Sequence, residues 1–115
     1  MSQWQRIYKH LKNSGFEVYS PGQHKGDCIS KYVVLKDEGA QKMPSFSSTQ
    51  VLYDVLCYVP GSQFSSLEPF VEEVKTCLAG MYPELIPTYF QNTSFYDDTV
   101  QGHMISLQYR SSHKI

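Results

Sequence analysis

The residues of this 115-residue chain that could do chemistry are few and scattered. His10, His24, His103 and His113 lie far apart, and His24 with Cys28 is the one close pair able to ligate a metal. Two ligands in a loop do not make a site, because a protein zinc centre takes three or four. Cys28, Cys57 and Cys77 are odd in number, widely spaced and without a CxxC, which fits neither a zinc knuckle nor a redox pair. Reduced core thiols are expected, since a free Cys packs as a small hydrophobe. Asp97-Asp98 and Asp37-Glu38 are the acidic clusters outside the helical segments. A catalytic carboxylate pair needs surroundings that drive its two pKa values apart, whereas adjacent acids in an exposed loop titrate as solvated groups. His103, next to Met104 at a strand start, reads as a strand-face residue. Ser45, Ser47, Ser48, Ser65 and Ser66 sit in no GxSxG elbow, and Gly15, Gly22, Gly26 and Gly39 are isolated, so no phosphate loop is present. No cofactor and no metal is implied.

The elements that must position these residues are clearer. Trp4, Ile7, Tyr8 and Leu11 recur at helical spacing, which predicts a helix over 2–14, capped by Ser2 and stopped by Gly15. A short strand is expected over 16–19, ended by Ser20-Pro21-Gly22. Residues 29–36 alternate as a strand, with Tyr32 and Val34 on one side and Ile29, Val33 and Leu35 on the other. A long loop is expected over 37–47. Residues 49–59 form the strongest strand, Val51, Tyr53, Val55, Cys57 and Val59 facing one way and Leu52, Asp54, Leu56 and Tyr58 the other. Apolar residues on both faces imply a central strand covered twice, by the domain's own helices or by a partner subunit.

A second helix over 66–79 carries the stripe Leu67, Phe70, Val71, Val74 and Leu78, with Met81 continuing it. Ser65 and Glu68 fit a capping box, Pro69 falls in the first turn, and Gly80 is placed to stop the helix. Strands are expected over 88–92 and 102–110, joined by a polar connection over 93–100. In the second strand His103, Ile105, Leu107 and Tyr109 oppose Met104, Ser106 and Gln108. Residues 111–115 read as a frayed tail. Short links between strands favour antiparallel pairing, so the expected fold class is α+β: one mainly antiparallel sheet with two helices packed on it, in the order α-β-β-β-α-β-β.

Composition limits the partners. Ten basic against eleven acidic residues give a net charge of -1, which argues against nucleic-acid specificity and against an anionic membrane surface. Phe90, Phe95 and Tyr96 lack the basic partners that single-strand binding requires. The polar N-terminus has no signal-peptide pattern and no apolar run is long enough to span a bilayer, so a soluble protein made in the cytoplasm is expected. Charged residues are only 18% of the chain, while nine Tyr, six Phe and one Trp make it aromatic-rich. A surface short of charge and rich in Tyr suits contact with another protein.

Five blocks carry a resemblance: 32–37 (YVVLKD), 53–60 (YDVLCYVP), 67–75 (LEPFVEEVK), 82–88 (YPELIPT) and 104–110 (MISLQYR). In order and spacing the chain resembles the tail terminators and head–tail joining proteins of long-tailed phages and prophages, structural proteins of the phage neck. The resemblance implies one tail-terminator-like α+β domain over 1–115 that forms a ring, commonly a hexamer, at the end of the tail tube. Such a ring takes part in virion assembly, caps tube growth and presents a surface to the head connector. The implied partners are therefore further copies of itself, a tail-tube protein and head connector or neck proteins. The implied location is the host cytoplasm during assembly and then the virion neck. On this view the protein is not an enzyme, and two loops are candidate contacts: 39–47, with Gly39, Lys42, Met43 and Phe46, and 92–100, with Phe95, Tyr96, Asp97 and Asp98. The alternative is a small intracellular enzyme or adaptor domain with Asp97, Asp98 or His103 as proton-transfer groups.

Overall fold

The computed structural model describes residues 3–23, 26–42 and 48–114. Its elements are α1 (Gln3–Asn13), β1 (Val18–Tyr19), β2 (Tyr32–Lys42), β3 (Ser48–Pro60), α2 (Leu67–Ala79), β4 (Ile86–Gln91), β5 (Phe95–Asp97) and β6 (Gly102–Lys114). The strands form one sheet in the order β1-β2-β3-β6-β4, with β5 also paired to β6. β1 runs parallel to β2 and every other pairing is antiparallel. The fold is α+β, two helices against a mixed six-stranded sheet, as the hydrophobic pattern requires.

β3 lies in the middle of the sheet and its alternation separates two environments. Tyr53, Val55, Cys57 and Val59 are buried on the inner face with Val33 and Leu35 of β2 and Ile105, Leu107 and Tyr109 of β6. The helices close over this face. Ile7 and Leu11 of α1 and Leu67, Phe70, Val71, Val74 and Leu78 of α2 join the same core. Among the described residues no helix packs on the outer face, and Leu52, Asp54, Leu56 and Tyr58 are half-buried there. One end of it holds a smaller cluster: Tyr32 stacks on Tyr58 at 4.8 Å between ring centres, and Cys28 and Met104 are buried nearby. The strand is thus central, but the protein's own helices cover one side of it.

Local signals place the elements. Gly15, at a φ of +96°, takes the left-handed conformation that ends α1. Trp4 Nε1 donates to the Leu35 carbonyl at 3.0 Å, which ties α1 to β2. α1 also lies antiparallel to α2: Arg6 pairs with Glu84 at 3.6 Å, and His10 Nε2 donates to the Cys77 carbonyl at 2.7 Å. Further along, Phe16 packs on Phe70 at 5.9 Å.

Several expectations are corrected. The 37–47 loop is in part strand, since β2 continues to Lys42, in register with Leu52 through Thr49 of β3 after a bulge between Asp37 and Gly39. The 111–115 tail does not fray over its described length, because Ser111 to Lys114 pair with Val51 to Ser48. Ile29 is not on a strand face but 86% exposed in the loop before β2. The Ser65–Glu68 capping box does not form. A 3₁₀ stretch (Gly61–Ser66) leads straight into α2, and the Leu67 amide is taken by the Phe64 carbonyl. α2 does stop at Gly80 as expected, although Gly80 stays right-handed and the chain leaves through successive turns, with the Met81 and Tyr82 amides bonding to Leu78 and Ala79.

Leu35→Ala should destabilise the fold by about 2–5 kcal/mol, because its side chain fills the closed inner layer. Ile29→Ala should change stability by less than about 0.5 kcal/mol, as an exposed position does. Urea unfolding followed by the fluorescence of Trp4, the single tryptophan, measures both.

Candidate functional site

The loop residues singled out in the sequence separate into different settings. Gly39 and Lys42 are strand positions, paired with Leu52 and Thr49, so neither stands in a contact loop. Met43 and Phe46 lie outside the described residues. Phe95, Tyr96 and Asp97 form β5, in register with Met104, His103 and Gly102. Strand alternation puts Phe95 and Asp97 on the outer side and Tyr96 with His103 on the inner side.

That parity decides what Asp97, Asp98 and His103 can do together. The Asp97 carboxylate accepts the Thr99 amide at 3.0 Å and the Thr99 hydroxyl, and the Tyr58 hydroxyl points at it from 3.5 Å. This is an aspartate holding its own turn. Asp98 offers its main-chain carbonyl to Gln101 Nε2 at 2.9 Å. His103 sits on the other face between Phe64 and Tyr96, with ring centres 4.8 and 5.1 Å away. The three groups do not converge on one point where a proton could be exchanged with a substrate.

The 92–100 connection is also pinned to the body. The Val100 carbonyl accepts the Cys28 amide at 2.6 Å, and the Gln101 carbonyl accepts the Gly61 amide at 3.1 Å. Asn92 prolongs the edge by side chain and backbone, its Oδ1 taking the Ser106 amide at 2.7 Å and its own amide bonding to the Ser106 carbonyl. Phe95 and Tyr96 nevertheless remain exposed, with Phe64 beside them at the same end of the sheet.

A groove beside β4 is a feature that the apolar periodicity of the sequence does not announce. Ile86 and Pro87 of β4 pair with Arg110 and Tyr109, but the next registered pair is Gln91 with Leu107. Three residues therefore span one position of β6, and the strand bulges. Tyr89, at a φ of +65°, stands on the bulge and is 89% exposed. Between this strand, β6 and the C-terminal half of α2 lies a groove of about 570 Å³. Ala79, Leu85, Ile86, Pro87, Leu107 and Tyr109 line it, with Tyr82 and Tyr89 on its rim. It runs on into a cleft of about 180 Å³ between Glu68, Glu72 and Lys75 of α2 and Gln91 of β4. The available signal was Pro87, which cannot donate to a ladder and marks an edge strand.

The groove is a surface for apolar contact. Among the described residues no three His, Cys, Asp or Glu side chains gather to hold a metal, and no helix is long and apolar enough to cross a membrane. Cys28, Cys57 and Cys77 are all free thiols. Compared with known proteins, the chain matches no protein-family model and no curated protein by sequence.

Burial pushes the Cys57 thiol up to about 12, the Cys28 thiol to about 11 and the Tyr109 hydroxyl to about 12. In the unfolded chain these groups titrate near 8.5 for Cys and 10 for Tyr. Between those values and the folded ones, the unfolded chain has lost protons that the folded chain keeps. The stabilisation is complete below pH about 8.5 and is lost as pH climbs toward 12. The urea midpoint should therefore fall steadily from pH 8 to pH 11. Cys57→Ala should lower the midpoint at pH 8 yet flatten that slope; a midpoint that rises with pH contradicts the assignment.

Proposed function

We propose that this protein is a structural assembly protein of a phage or prophage neck. It acts as a tail terminator or head–tail joining protein, forming a ring on the tail tube. The five blocks of resemblance across 32–110 support this reading, and they fall on the framework of the domain: β2, β3, α2, the turn into β4, and β6. The observation that carries it is the distribution of apolar surface. An open groove runs along one flank, Leu52, Leu56 and Tyr58 are half-buried on a sheet face without a helix, and Tyr82 and Tyr89 project at the rim. Such surface suits coverage by other protein chains.

In a cyclic ring the contact is heterologous, two different patches meeting head to tail. The partners on this reading are further copies of the chain, the tail-tube protein and the head connector. The protein works in the host cytoplasm during assembly and afterwards in the virion neck. It needs no cofactor for this role.

Light scattering across a broad concentration range, with and without a phage tail-tube protein, tests the reading. Rings, or saturable binding to the tube end, are expected, with capping of tube growth. A chain that stays monomeric and ignores both tube and connector proteins sinks it.

A further inference from the structure

The two flanks of the helical layer carry opposite charge. α1 holds Arg6, Lys9 and Lys12 and no acidic residue. Arg6 pairs at the surface with Glu84 beyond the end of α2, and Lys9 and Lys12 are exposed. In the same helix Tyr8 stacks on Trp4 at 5.2 Å, and Lys12 Nζ lies 5.7 Å from the Tyr8 ring centre. From its N-terminus this flank therefore reads aromatic and then basic.

The opposite flank, formed by α2 and β4, reads in the complementary order. Glu73 pairs at the surface with Lys31, at 3.7 Å. Glu68 and Glu72 face the cleft, with Lys75 paired to Glu72 at 3.6 Å. From the C-terminus of α2 backwards, the apolar groove comes first and the acidic cleft second. A helix lying antiparallel to α2 would meet both in register. Within one chain α1 already lies antiparallel to α2 on its other side. A neighbour in the same orientation, set beside the first, brings its own α1 to the groove with the required polarity.

We propose that the occupant of the α2–β4 groove is the α1 flank of a second copy of this chain. Trp4 and Tyr8 cover the apolar groove, and Lys9 and Lys12 meet Glu72 and Glu68. The contact is heterologous, so an open row of copies keeps one free groove at one end and one free α1 flank at the other until a ring closes. This rests on the reading of the protein as a self-assembling neck component and adds the surface through which it assembles.

Charge reversal tests the pairing. Lys9, Lys12, Glu68 and Glu72 are all exposed, so their substitution leaves the core intact. Sedimentation velocity compares the unaltered chain, Lys9→Glu/Lys12→Glu, Glu68→Lys/Glu72→Lys and an equimolar mixture of the two variants, each alone and with tail-tube protein. Each variant alone places like charges across the contact, and its self-association should weaken about tenfold or more. In the mixture every contact regains opposite charges, so assembly should return to within about threefold of the unaltered chain. Assembly that ignores the reversals, or a mixture that fails to recover, overturns the flank pairing while leaving self-assembly standing. Absence of assembly in both settings overturns the pairing and the neck reading together.

Discussion

The β3–β6 ladder is the constraint from which the rest of the structure follows. Thirteen registered pairs run from Ser48 with Lys114 to Pro60 with Gly102. At about 3.3 Å per residue such a ladder is ~43 Å long, close to the 47 Å long axis of the molecule. A slip of one residue would turn Val55, Cys57, Ile105 and Leu107 out of the core and turn Asp54, Ser106 and Gln108 into it. One end of the ladder is fixed by a close approach: a Cβ on Gly102 would stand 2.9 Å from the Val59 carbonyl oxygen and 3.0 Å from Cβ of Cys28. β2 takes its register from β3, while β4 and β5 take theirs from β6.

The groove follows from how helices fit a sheet of this width. A helix with its side chains is about 10 Å across and strands are spaced about 4.8 Å apart, so two helices cover roughly four strands. α1 packs against β1 and β2, and α2 against β3 and β6. β4 is the strand left over. It cannot pair evenly either, since Pro87 withholds an amide and the bulge through Tyr89 lifts the chain away from β6. An apolar floor of Leu85, Leu107 and Tyr109 is thus buried by α2 on one side and met by no helix of the described residues on the other. The opening is a consequence of strand count exceeding helix count.

What could be read in the sequence was what periodicity encodes. The two helices, the two faces of β3 and the division of β6 between Ile105, Leu107 and Tyr109 and the opposing Met104, Ser106 and Gln108 follow from apolar spacing, and the structure has them. What was hidden depends on partners far away in the chain. Residues 37–42 and 111–114 look like loop and tail because they are polar, yet the β2–β3 and β3–β6 ladders satisfy their backbone groups whatever their side chains are. The capping box at Ser65 was displaced by a 3₁₀ stretch that already supplies a carbonyl to the Leu67 amide. Asp97 and His103 look like neighbours in sequence, and strand parity sends them to opposite faces. The groove has no periodic signature, since it is built from what α2 does not reach.

Near-neutrality takes on a different meaning against this geometry. A net charge of -1 looks uninformative, yet within it the basic side chains of α1 and the acidic side chains Glu68 and Glu72 of α2 are segregated along the helical layer. A protein that binds a foreign surface carries one half of an electrostatic match and shows it in its total charge. A protein whose partner is another copy of itself must carry both halves, and they cancel in the sum. Arg6, Glu73 and Glu72 each pair with an opposite charge of the same chain, while Lys9, Lys12 and Glu68 are exposed along the edges of the helical layer. The antiparallel pairing of α1 with α2 inside the chain sets the polarity that the proposed contact between copies would repeat.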